Sequence, residues 1–352
     1  MTSKPQLPLR SRLERWYADS LQRKGLVYWA LTEEAALFRW VMQRRRKKYL
    51  QQPETAVRLP VPVIIVGNIV AGGAGKTPIV IALVQALQQQ GYRPGVLARG
   101  YQPKGRAQGK EALEVKSDSA VQACGDEPLL IRQQTQVPVF VHPNRVLAGQ
   151  TLLQRYPDTN VLVLDDGLQH YALVRDVELV VFDRRGTGNG RFLPAGPLRE
   201  ATDRPRDATL FVDTAVKPEL GANSPVFEVV MEAGALYRLY DPQQTMPLSD
   251  LSGQEVAAFA GIGDPERFFQ TLRGVGAKVE AHPLSDHYEF EVNPFQATQK
   301  KMIVITEKDA VKCAKSDEYV NDDRLWVLPV KTPLNPSLMA LIVNKLGKAH
   351  GP

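Results

Sequence analysis

The stretch that decides the fold is residues 61–87, VPVIIVGNIVAGGAGKTPIVIALVQAL, in which an apolar strand, a glycine-rich turn and a helical segment follow one another. Residues 63–66 are apolar and β-branched on both faces, a composition typical of a central strand in a parallel sheet. Pro78 suits the first turn of the following helix, because its missing N–H costs nothing there. This order predicts an α/β domain built on a parallel sheet.

The glycine-rich turn has the composition of a phosphate-binding loop. Its glycines allow the backbone N–H groups to point inward around phosphate oxygens. Lys76 would reach the β- and γ-phosphates of ATP, and the Thr77 hydroxyl would bind Mg²⁺. The alternative is a glycine-rich turn without a ligand, which would leave the order of strand, glycines, Lys-Thr and helix unexplained.

The match to the general G-x-x-x-x-G-K-[ST] pattern is incomplete, because Val70 stands where the first glycine is expected. What remains is a compact form of the loop that occurs in both kinases and ATPase switches. The motif therefore predicts the nucleotide and leaves the reaction open. The predicted ATP contacts are Val70, Ala71, Gly72, Gly73, Ala74, Gly75, Lys76 and Thr77.

Strands and helical segments alternate along the chain after residue 60, which indicates parallel sheets with helices on both faces. We predict a P-loop NTPase-type parallel-sheet domain, a second, smaller α/β domain that closes over the site, and an N-terminal amphipathic helix. The predicted limits are 1–50 for the N-terminal segment, 51–222 for the core domain, 223–250 for a linker of two extended segments, and 251–352 for the smaller domain.

The composition is ordinary for a soluble globular protein, with 352 residues of which 43% are hydrophobic and 23% are charged. This length is sufficient for two domains with cores of their own. Cys124 and Cys313 show neither a CxxC pairing nor a metal-ligand spacing, so a disulfide framework is not expected and a reducing compartment is favoured.

Positive charge is concentrated at the N-terminal end, where residues 1–50 contain twelve Lys or Arg and four Asp or Glu. Apolar and aromatic residues beside the basic run 44–48 are typical of a helix lying in an anionic membrane interface. The longest uncharged run, 25–32, is too short to span a bilayer. The alternatives are a helix packed on the protein and nucleic-acid binding, for which no motif is present. Four residues share one predicted helical face: Leu13, Trp16, Tyr17 and Leu21.

Two pairs of carboxylates follow predicted strands or begin predicted helices. Asp165 and Asp166 come directly after a strand, and ligands of parallel sheets gather at such strand ends. There they would organise Mg²⁺, unless they only form a turn. Asp126 precedes a helical segment, where it is either an N-cap or the carboxylate that accepts a hydroxyl proton in a kinase.

The smaller domain and the region before the linker contribute further candidates. His287 follows Asp286, and a loop from a second domain could close over the nucleotide and complete the site. A structural role is the alternative for this histidine. Arg199 could supply positive charge to the transferring phosphate, or could form a surface ion pair with Glu200.

The ordered series of motifs resembles the tetraacyldisaccharide 4′-kinases, the lipid A kinases of Gram-negative bacteria, from about residue 60 to 315. No single motif is decisive, but their order along the chain is highly specific. The motifs are the phosphate loop, Arg99-Gly100-Tyr101, Gly125-Asp126-Glu127-Pro128, Asp165-Asp166-Gly167-Leu168-Gln169-His170, the stretch 193–200, Ala260-Gly261-Ile262-Gly263, Asp286-His287 and Thr306-Glu307-Lys308-Asp309-Ala310.

The resemblance implies transfer of the ATP γ-phosphate to the 4′-hydroxyl of tetraacyldisaccharide 1-phosphate, giving lipid IVA, with Mg²⁺ as cofactor. It also implies that Asp126 and His287 activate the hydroxyl, with Asp126 as the base. Arg145, Arg199 and Glu200 would line the sugar–phosphate region. The implied location is the cytoplasmic face of the bacterial inner membrane, as a peripheral enzyme with no nucleic-acid partner.

Two other functions remain open from the residues. A P-loop ATPase switch would fit the compact loop, although residue 71 is Ala where many dimeric switches carry lysine. A kinase for a soluble metabolite would also fit, with the N-terminal helix in a structural role.

Overall fold

The computed structural model describes residues 31–100, 111–214, 220–221 and 223–349. The strands are β1 (Val63–Gly67), β2 (Pro94–Ala98), β3 (Leu113–Val115), β4 (Val139–Val141), β5 (Val161–Asp165), β6 (Val177–Phe182), β7 (Ala208–Val212), β8 (Val226–Val229), β9 (Glu232–Ala233), β10 (Leu236–Arg238), β11 (Thr245–Met246), β12 (Glu255–Ala260), β13 (Lys278–Pro283), β14 (Ile303–Thr306), β15 (Leu325–Leu328) and β16 (Val330–Lys331). The helices are α1 (Thr32–Gln51), α2 (Lys76–Gln89), α3 (Val121–Cys124), α4 (Asp126–Thr135), α5 (Arg145–Arg155), α6 (Pro265–Gly274), α7 (Glu307–Cys313), α8 (Asp317–Val320) and α9 (Pro336–Ala349).

The larger sheet is built around the apolar strand that the sequence singles out. Its strand order is β3-β4-β2-β5-β1-β6-β7-β8, and every neighbouring pair is parallel except β3 with β4. All five residues of β1 are buried between β5 and β6, as a strand with two apolar faces requires. Helices α2 and α4 pack on one face and α5 on the other. We call this sheet and its helices the larger lobe.

The smaller sheet has the order β11-β10-β15-β14-β12-β13. Strands β12 to β15 are mutually parallel, whereas β10 is antiparallel to both of its neighbours. Helix α6 buries Phe268, Phe269 and Leu272 on one face of this sheet, and α7 buries Ala310 and Cys313 on the other. We call this unit the smaller lobe. The predicted α/β class, with a parallel-sheet core and a second α/β unit, is confirmed.

The crossing between the lobes differs from the predicted linker in its pairing. The two extended segments of the predicted linker, 223–250, do not pair with each other, because β8 joins the edge of the larger sheet beside β7 and β10 joins the smaller sheet. The two-stranded element is instead β9 with β16, which are antiparallel and far apart in sequence. Pairing of β8 satisfies backbone groups that β7 would otherwise leave free at a sheet edge. The predicted domain limits stay predictions.

The last helix returns to the larger lobe. Leu338, Ile342 and Leu346 of α9 are buried in the same cluster as the strands and helices on one face of the larger sheet. Their spacing places them on one helical face, so the apolar stripe of α9 is covered there. The predicted smaller domain, 251–352, includes this segment, whereas the apolar stripe of α9 packs on the larger lobe.

Helix α1 carries the described part of the N-terminal segment. Leu37, Trp40 and Val41 are neighbours on one helical face and are exposed. Tyr49 near the end of the helix stacks on Tyr171 of the larger lobe, with ring centroids 6.2 Å apart. Among the residues that the structure describes, no helix combines the length and apolarity needed to cross a bilayer. The face predicted on Leu13, Trp16, Tyr17 and Leu21 lies outside the described residues.

Candidate active site

The glycine-rich loop connects β1 to α2 and opens onto the first turn of that helix. Gly75 has a φ of 73°, a backbone conformation that side chains disfavour, and a Cβ there would lie 2.4 Å from Met231 Cε. Lys76 is the first residue of α2, and Thr77 behind it is buried. The unpaired N–H groups and the positive end of a helix dipole attract anions. The loop therefore has the geometry that phosphate binding requires.

The Lys76 side chain is held beside the loop by two oxygen atoms. Its Nζ lies 3.2 Å from Asn68 Oδ1 and 3.6 Å from Asp166 Oδ1. The Nδ2 of Asn68 donates to the carbonyl oxygens of Val70 at 2.6 Å and Gly72 at 3.2 Å, so this fully buried amide braces the loop. Sequence reasoning missed Asn68, although a polar residue directly after β1 was the available signal.

Asp165 ends β5 next to the phosphate loop, since it pairs in register with Val66 of β1. Its Oδ1 is buried and has no hydrogen-bond partner among the described residues. Burial and the nearby carboxylates of Glu127 and Asp166 raise the pKa of Asp165 to about 7. A buried carboxylate oxygen that accepts no hydrogen bond from any residue that the structure describes is available here as a ligand for a cation.

Asp166 faces two cations of the larger lobe. Burial alone would raise the pKa of Asp166, but the charges of Lys76 and Arg199 lower it below its usual value. Arg199 Nη2 lies 3.2 Å from Asp166 Oδ1 and also donates to the Asn68 carbonyl at 3.1 Å. The structure thus brings Arg199 to the same group as Lys76.

The other two predicted substrate residues lie deeper. Glu200 is buried, and its carboxylate accepts a hydrogen bond from Gln169 at 2.9 Å and pairs with Arg204. Arg145 is buried at the start of α5, where its Nη1 donates to the carbonyl oxygens of His142 and Pro143. Burial and the charge of Arg99 lower the pKa of Arg145 to about 10. The Arg145 Nε has no hydrogen-bond partner among the described residues.

Asp126 and His287 form a pair across the two lobes. His287 Nδ1 lies 3.0 Å from Asp126 Oδ1 and 3.1 Å from Oδ2. Burial alone would raise the pKa of Asp126, but the His287 hydrogen bond and the charges of Lys308 and Lys312 hold it at about 2. The hydrogen bond to Asp126 raises the pKa of His287. The predicted partners are therefore in contact, and the carboxylate is ionised at neutral pH.

Two lysines of α7, which sequence reasoning did not single out individually, approach this pair. Lys308 Nζ lies 3.1 Å from Glu127, 3.2 Å from Asp286 and 3.9 Å from Asp126. Lys312 Nζ lies 3.6 Å from Asp126 Oδ2. Burial works against the charge of Lys308, but the surrounding carboxylates raise its pKa overall. Three carboxylates of the cleft are thus balanced by cations from the smaller lobe.

One cavity of about 550 Å³ connects these groups. Asp126, His287 and Lys312 lie on its wall together with Asp165 and Asp166. A larger groove of about 870 Å³ lies between α2 and residues 329–336, and its lining contains none of these side chains. An acceptor in the smaller cavity can therefore meet the Asp126–His287 pair and the two aspartates that follow β5.

The smaller lobe also contacts the phosphate loop directly. A Cβ placed on Gly263 would come within 3.3 Å of Gly73 Cα, so the two backbones touch. Arg184 donates two hydrogen bonds of 2.7 Å to Asp264 beside this contact. The donor loop and the lobe that carries His287 are thus packed against each other.

Known proteins match the chain over both lobes. Residues 27–347 match a family described as tetraacyldisaccharide-1-P 4′-kinase. Tetraacyldisaccharide 4′-kinase of Herminiimonas arsenicoxydans is 43% identical over 351 residues, covering 96% of this chain and 97% of that protein. The protein of the same name from Janthinobacterium sp. (strain Marseille) is 43% identical over 343 residues, with 96% and 97% covered. A crystal structure of LpxK from Aquifex aeolicus in complex with ATP has a TM-score of 0.74 at 28% identity, covering 91% of this chain and all of that one.

Proposed function

The chain belongs to the tetraacyldisaccharide-1-P 4′-kinase family, and from this premise we propose how its cleft moves the γ-phosphate of ATP to the 4′-hydroxyl of a tetraacyldisaccharide 1-phosphate, giving lipid IVA. The chain is an ATP-dependent kinase of lipid A biosynthesis. The observation that carries the proposal is the single cavity that Asp126 and His287 share with Asp165 and Asp166, beside the phosphate loop.

We assign the donor site to residues 70–77. The start of α2 and the positive φ of Gly75 support this assignment, because they direct backbone N–H groups toward the place of an anion. Lys76 holds the β- and γ-phosphates and exchanges its contacts with Asn68 and Asp166 for phosphate oxygens. Arg199 also contacts Asn68 and Asp166, and its positive charge stabilises the negative charge that develops on the transferring phosphoryl group.

We assign Mg²⁺ to Thr77, Asp165 and Asp166. The buried Oδ1 of Asp165, which has no hydrogen-bond partner in the described part of the chain, and the Thr77 hydroxyl at the start of α2 supply the oxygen ligands that this ion prefers. When bound, the ion neutralises charge on the β- and γ-phosphate oxygens.

Asp126 accepts the proton of the 4′-hydroxyl as the hydroxyl oxygen attacks the γ-phosphorus. The new oxygen–phosphorus bond forms while the bond from the γ-phosphorus to the bridging oxygen breaks, and ADP leaves. His287 holds the carboxylate in place through Nδ1. We assign Arg145 and Glu200 to the sugar–phosphate region. The Glu200 carboxylate is held by Gln169 and Arg204.

The acceptor is a lipid, and the N-terminal segment 1–50 gives the enzyme a way to work at a membrane surface. Its described helix exposes Leu37, Trp40 and Val41 next to the basic run 44–48. Such a helix binds anionic lipid through apolar burial and charge together. We place the enzyme peripherally on the cytoplasmic face of the inner membrane, with the glycolipid and no nucleic acid as partner.

The test is transfer of label from γ-labelled ATP to tetraacyldisaccharide 1-phosphate in detergent micelles with Mg²⁺. Labelled lipid IVA is expected, and it should be absent with the Lys76→Ala variant. Hydrolysis of ATP without labelled glycolipid would contradict the proposal and support an ATPase switch. Chelation of Mg²⁺ should stop transfer, and transfer that continues would overturn the metal assignment.

A further inference from the structure

A buried lysine on α7 contacts groups that lead to both ends of the cleft. Lys312 Nζ lies 3.6 Å from Asp126 Oδ2 in the larger lobe and 3.0 Å from Asp309 Oδ1 one turn earlier on its own helix. Its side chain is only 5% exposed and lines the cavity of about 550 Å³. Lysine is almost never buried to this extent without a paired charge, and here two carboxylates face it from different elements.

Asp309 extends this contact toward the phosphate loop. Its fully buried Oδ2 accepts a hydrogen bond of 2.9 Å from the Gly261 N–H and one of 2.7 Å from Thr306 Oγ1. Gly261 begins the turn whose residue Gly263 lies against Gly73 of the phosphate loop. A Cβ on Gly261 would also come within 2.7 Å of Asp309 Oδ1, so the turn and the carboxylate are in close contact.

We propose that Lys312 and Asp309 form a positioning pair that couples the seating of the phosphate loop to the orientation of the Asp126 carboxylate. Asp309 fixes the 261–263 turn to α7, so the turn and the helix move together. A nucleotide that draws Gly263 onto the phosphate loop therefore also brings Lys312 onto Asp126. The proposal rests on the assignment of Asp126 as the proton acceptor.

Lys312 differs from the other charged groups that face Asp126. His287 comes from the loop after β13, and Lys308 from α7 lies 3.9 Å away and bridges Glu127 and Asp286 at the cleft edge. Within the part of the chain that the structure describes, neither of these two cations contacts Asp309. The link between the two ends of the cleft thus passes through Lys312.

The test compares Lys312→Met, Lys312→Arg and Asp309→Asn in the full-length chain, with steady-state kinetics for both substrates. Lys312→Met should lower kcat roughly 10- to 100-fold and raise the KM for ATP about 5-fold, and Lys312→Arg should restore most of both. Asp309→Asn keeps the shape of the side chain and should also raise the KM for ATP. Lys300→Met removes a surface lysine that pairs with Glu255 at 2.5 Å, and it should change neither parameter.

The double variant Lys312→Met/Asp309→Asn should raise the KM for ATP no further than the larger single effect. Additive effects, or a Lys312→Met variant with reduced kcat and an unchanged KM for ATP, would overturn the coupling. The Asp126→Asn variant distinguishes a failure of the base assignment from a failure of the coupling. Full activity of Asp126→Asn would contradict the base assignment itself, whereas an inactive Asp126→Asn beside an unchanged KM in Lys312→Met would contradict the coupling alone.

Discussion

His287 Nδ1 lies 3.0 Å from Asp126 Oδ1, although the two residues are 161 positions apart and belong to different lobes. Asp126 begins α4 in the larger lobe, and His287 follows β13 in the smaller one. The pair therefore exists only while the lobes are packed as they are here. A site built in this way depends on lobe arrangement as much as on the two side chains.

The first prediction concerns this pair as a unit. Asp126→Asn and His287→Ala should each lower kcat by about 10²- to 10⁴-fold, the range that proton transfer contributes. The kcat of the double variant should be no lower than that of the less active single variant, because either change already breaks the same contact. Titration with a fluorescent ATP analogue should show that all three variants still bind nucleotide. Losses that add in free energy would contradict a joint role.

The second prediction is the pH dependence of kcat/KM. The pKa of Asp126 is about 2, so this carboxylate stays ionised from pH 5 to 9 and cannot cause a change in that range. The raised pKa of His287 places its titration above about 6.5, the ordinary histidine value. Loss of the His287 proton removes the positive charge that lies beside Asp126, and this makes the Asp126 carboxylate a stronger base. At Mg²⁺ concentrations that saturate the site assigned to Asp165 and keep this carboxylate ionised, we expect kcat/KM to rise with pH through the His287 titration. The step should be absent in His287→Asn.

The second prediction extends to stability, because the same pair should stabilise the fold in a defined pH window. The Asp126 contribution to the free energy of unfolding is present above its unfolded pKa of about 4 and is lost as pH falls toward about 2. The His287 contribution is present below about pH 6.5 and is lost as pH rises through the raised pKa of this residue. Denaturant unfolding of wild type and Asp126→Asn should therefore differ most between about pH 4 and 6.5. A difference that keeps growing above pH 8 would be inconsistent with this assignment.

The phosphate loop and central strands could be predicted because their signals are local. A continuous apolar, β-branched run with a glycine turn behind it specifies β1 and the start of α2 within a few residues. Strands β2 and β6 lie where the sequence has short apolar runs, which are local signals of the same kind. Burial on both faces leaves such segments few alternatives to a central parallel strand.

The pairing between lobes could not be predicted from local signals. Asp126 alone was equally compatible with an N-cap, and only the family resemblance joined it to His287. Lys312 reads as an ordinary helical lysine until the fold places it against Asp126. The helical pattern of α9 was visible, but a stripe of apolar residues does not specify which sheet will cover it. Long-range contacts determine the Asp126 pairings and the packing of α9, and the local patterns of a single sequence do not reveal such contacts.

The third prediction tests the metal assignment. Asp165→Asn removes the charge of a buried carboxylate whose Oδ1 has no hydrogen-bond donor among the described residues. The Mg²⁺ concentration for half-maximal activity should rise at least about 10-fold, because a ligand and one negative charge are lost. The exposed Asp203→Asn change is the control and should leave this concentration unaltered. An unchanged Mg²⁺ requirement in Asp165→Asn would remove Asp165 from the metal site.

The fourth prediction concerns the contact of Arg184 with Asp264 beside the phosphate loop. Arg184→Glu should raise the KM for ATP by roughly 2- to 5-fold, a modest effect because half of the arginine side chain is exposed. Adding Asp264→Arg should restore part of the loss by reversing both charges. The control is Arg273→Glu, which breaks a 2.8 Å pair with Glu266 within α6. If Arg184→Glu and Arg273→Glu changed the KM for ATP equally, the contact between the lobes would not contribute specifically to ATP binding.

The last prediction concerns membrane binding by α1. Trp40→Glu places a charge on the exposed apolar face and should weaken binding to phosphatidylglycerol vesicles about 10-fold, since tryptophan burial and lipid charge act in the same direction. Replacing three cations of the run 44–48 by glutamine should weaken binding further and make the remaining binding less sensitive to salt. Val292→Glu changes an even more exposed apolar residue on the smaller lobe and should bind like wild type. Vesicle co-sedimentation measures all of these, and activity on substrate in detergent micelles should be unaffected, because micelles deliver the acceptor without the membrane surface. Equal loss of binding in Val292→Glu would place the membrane contact elsewhere on the molecule.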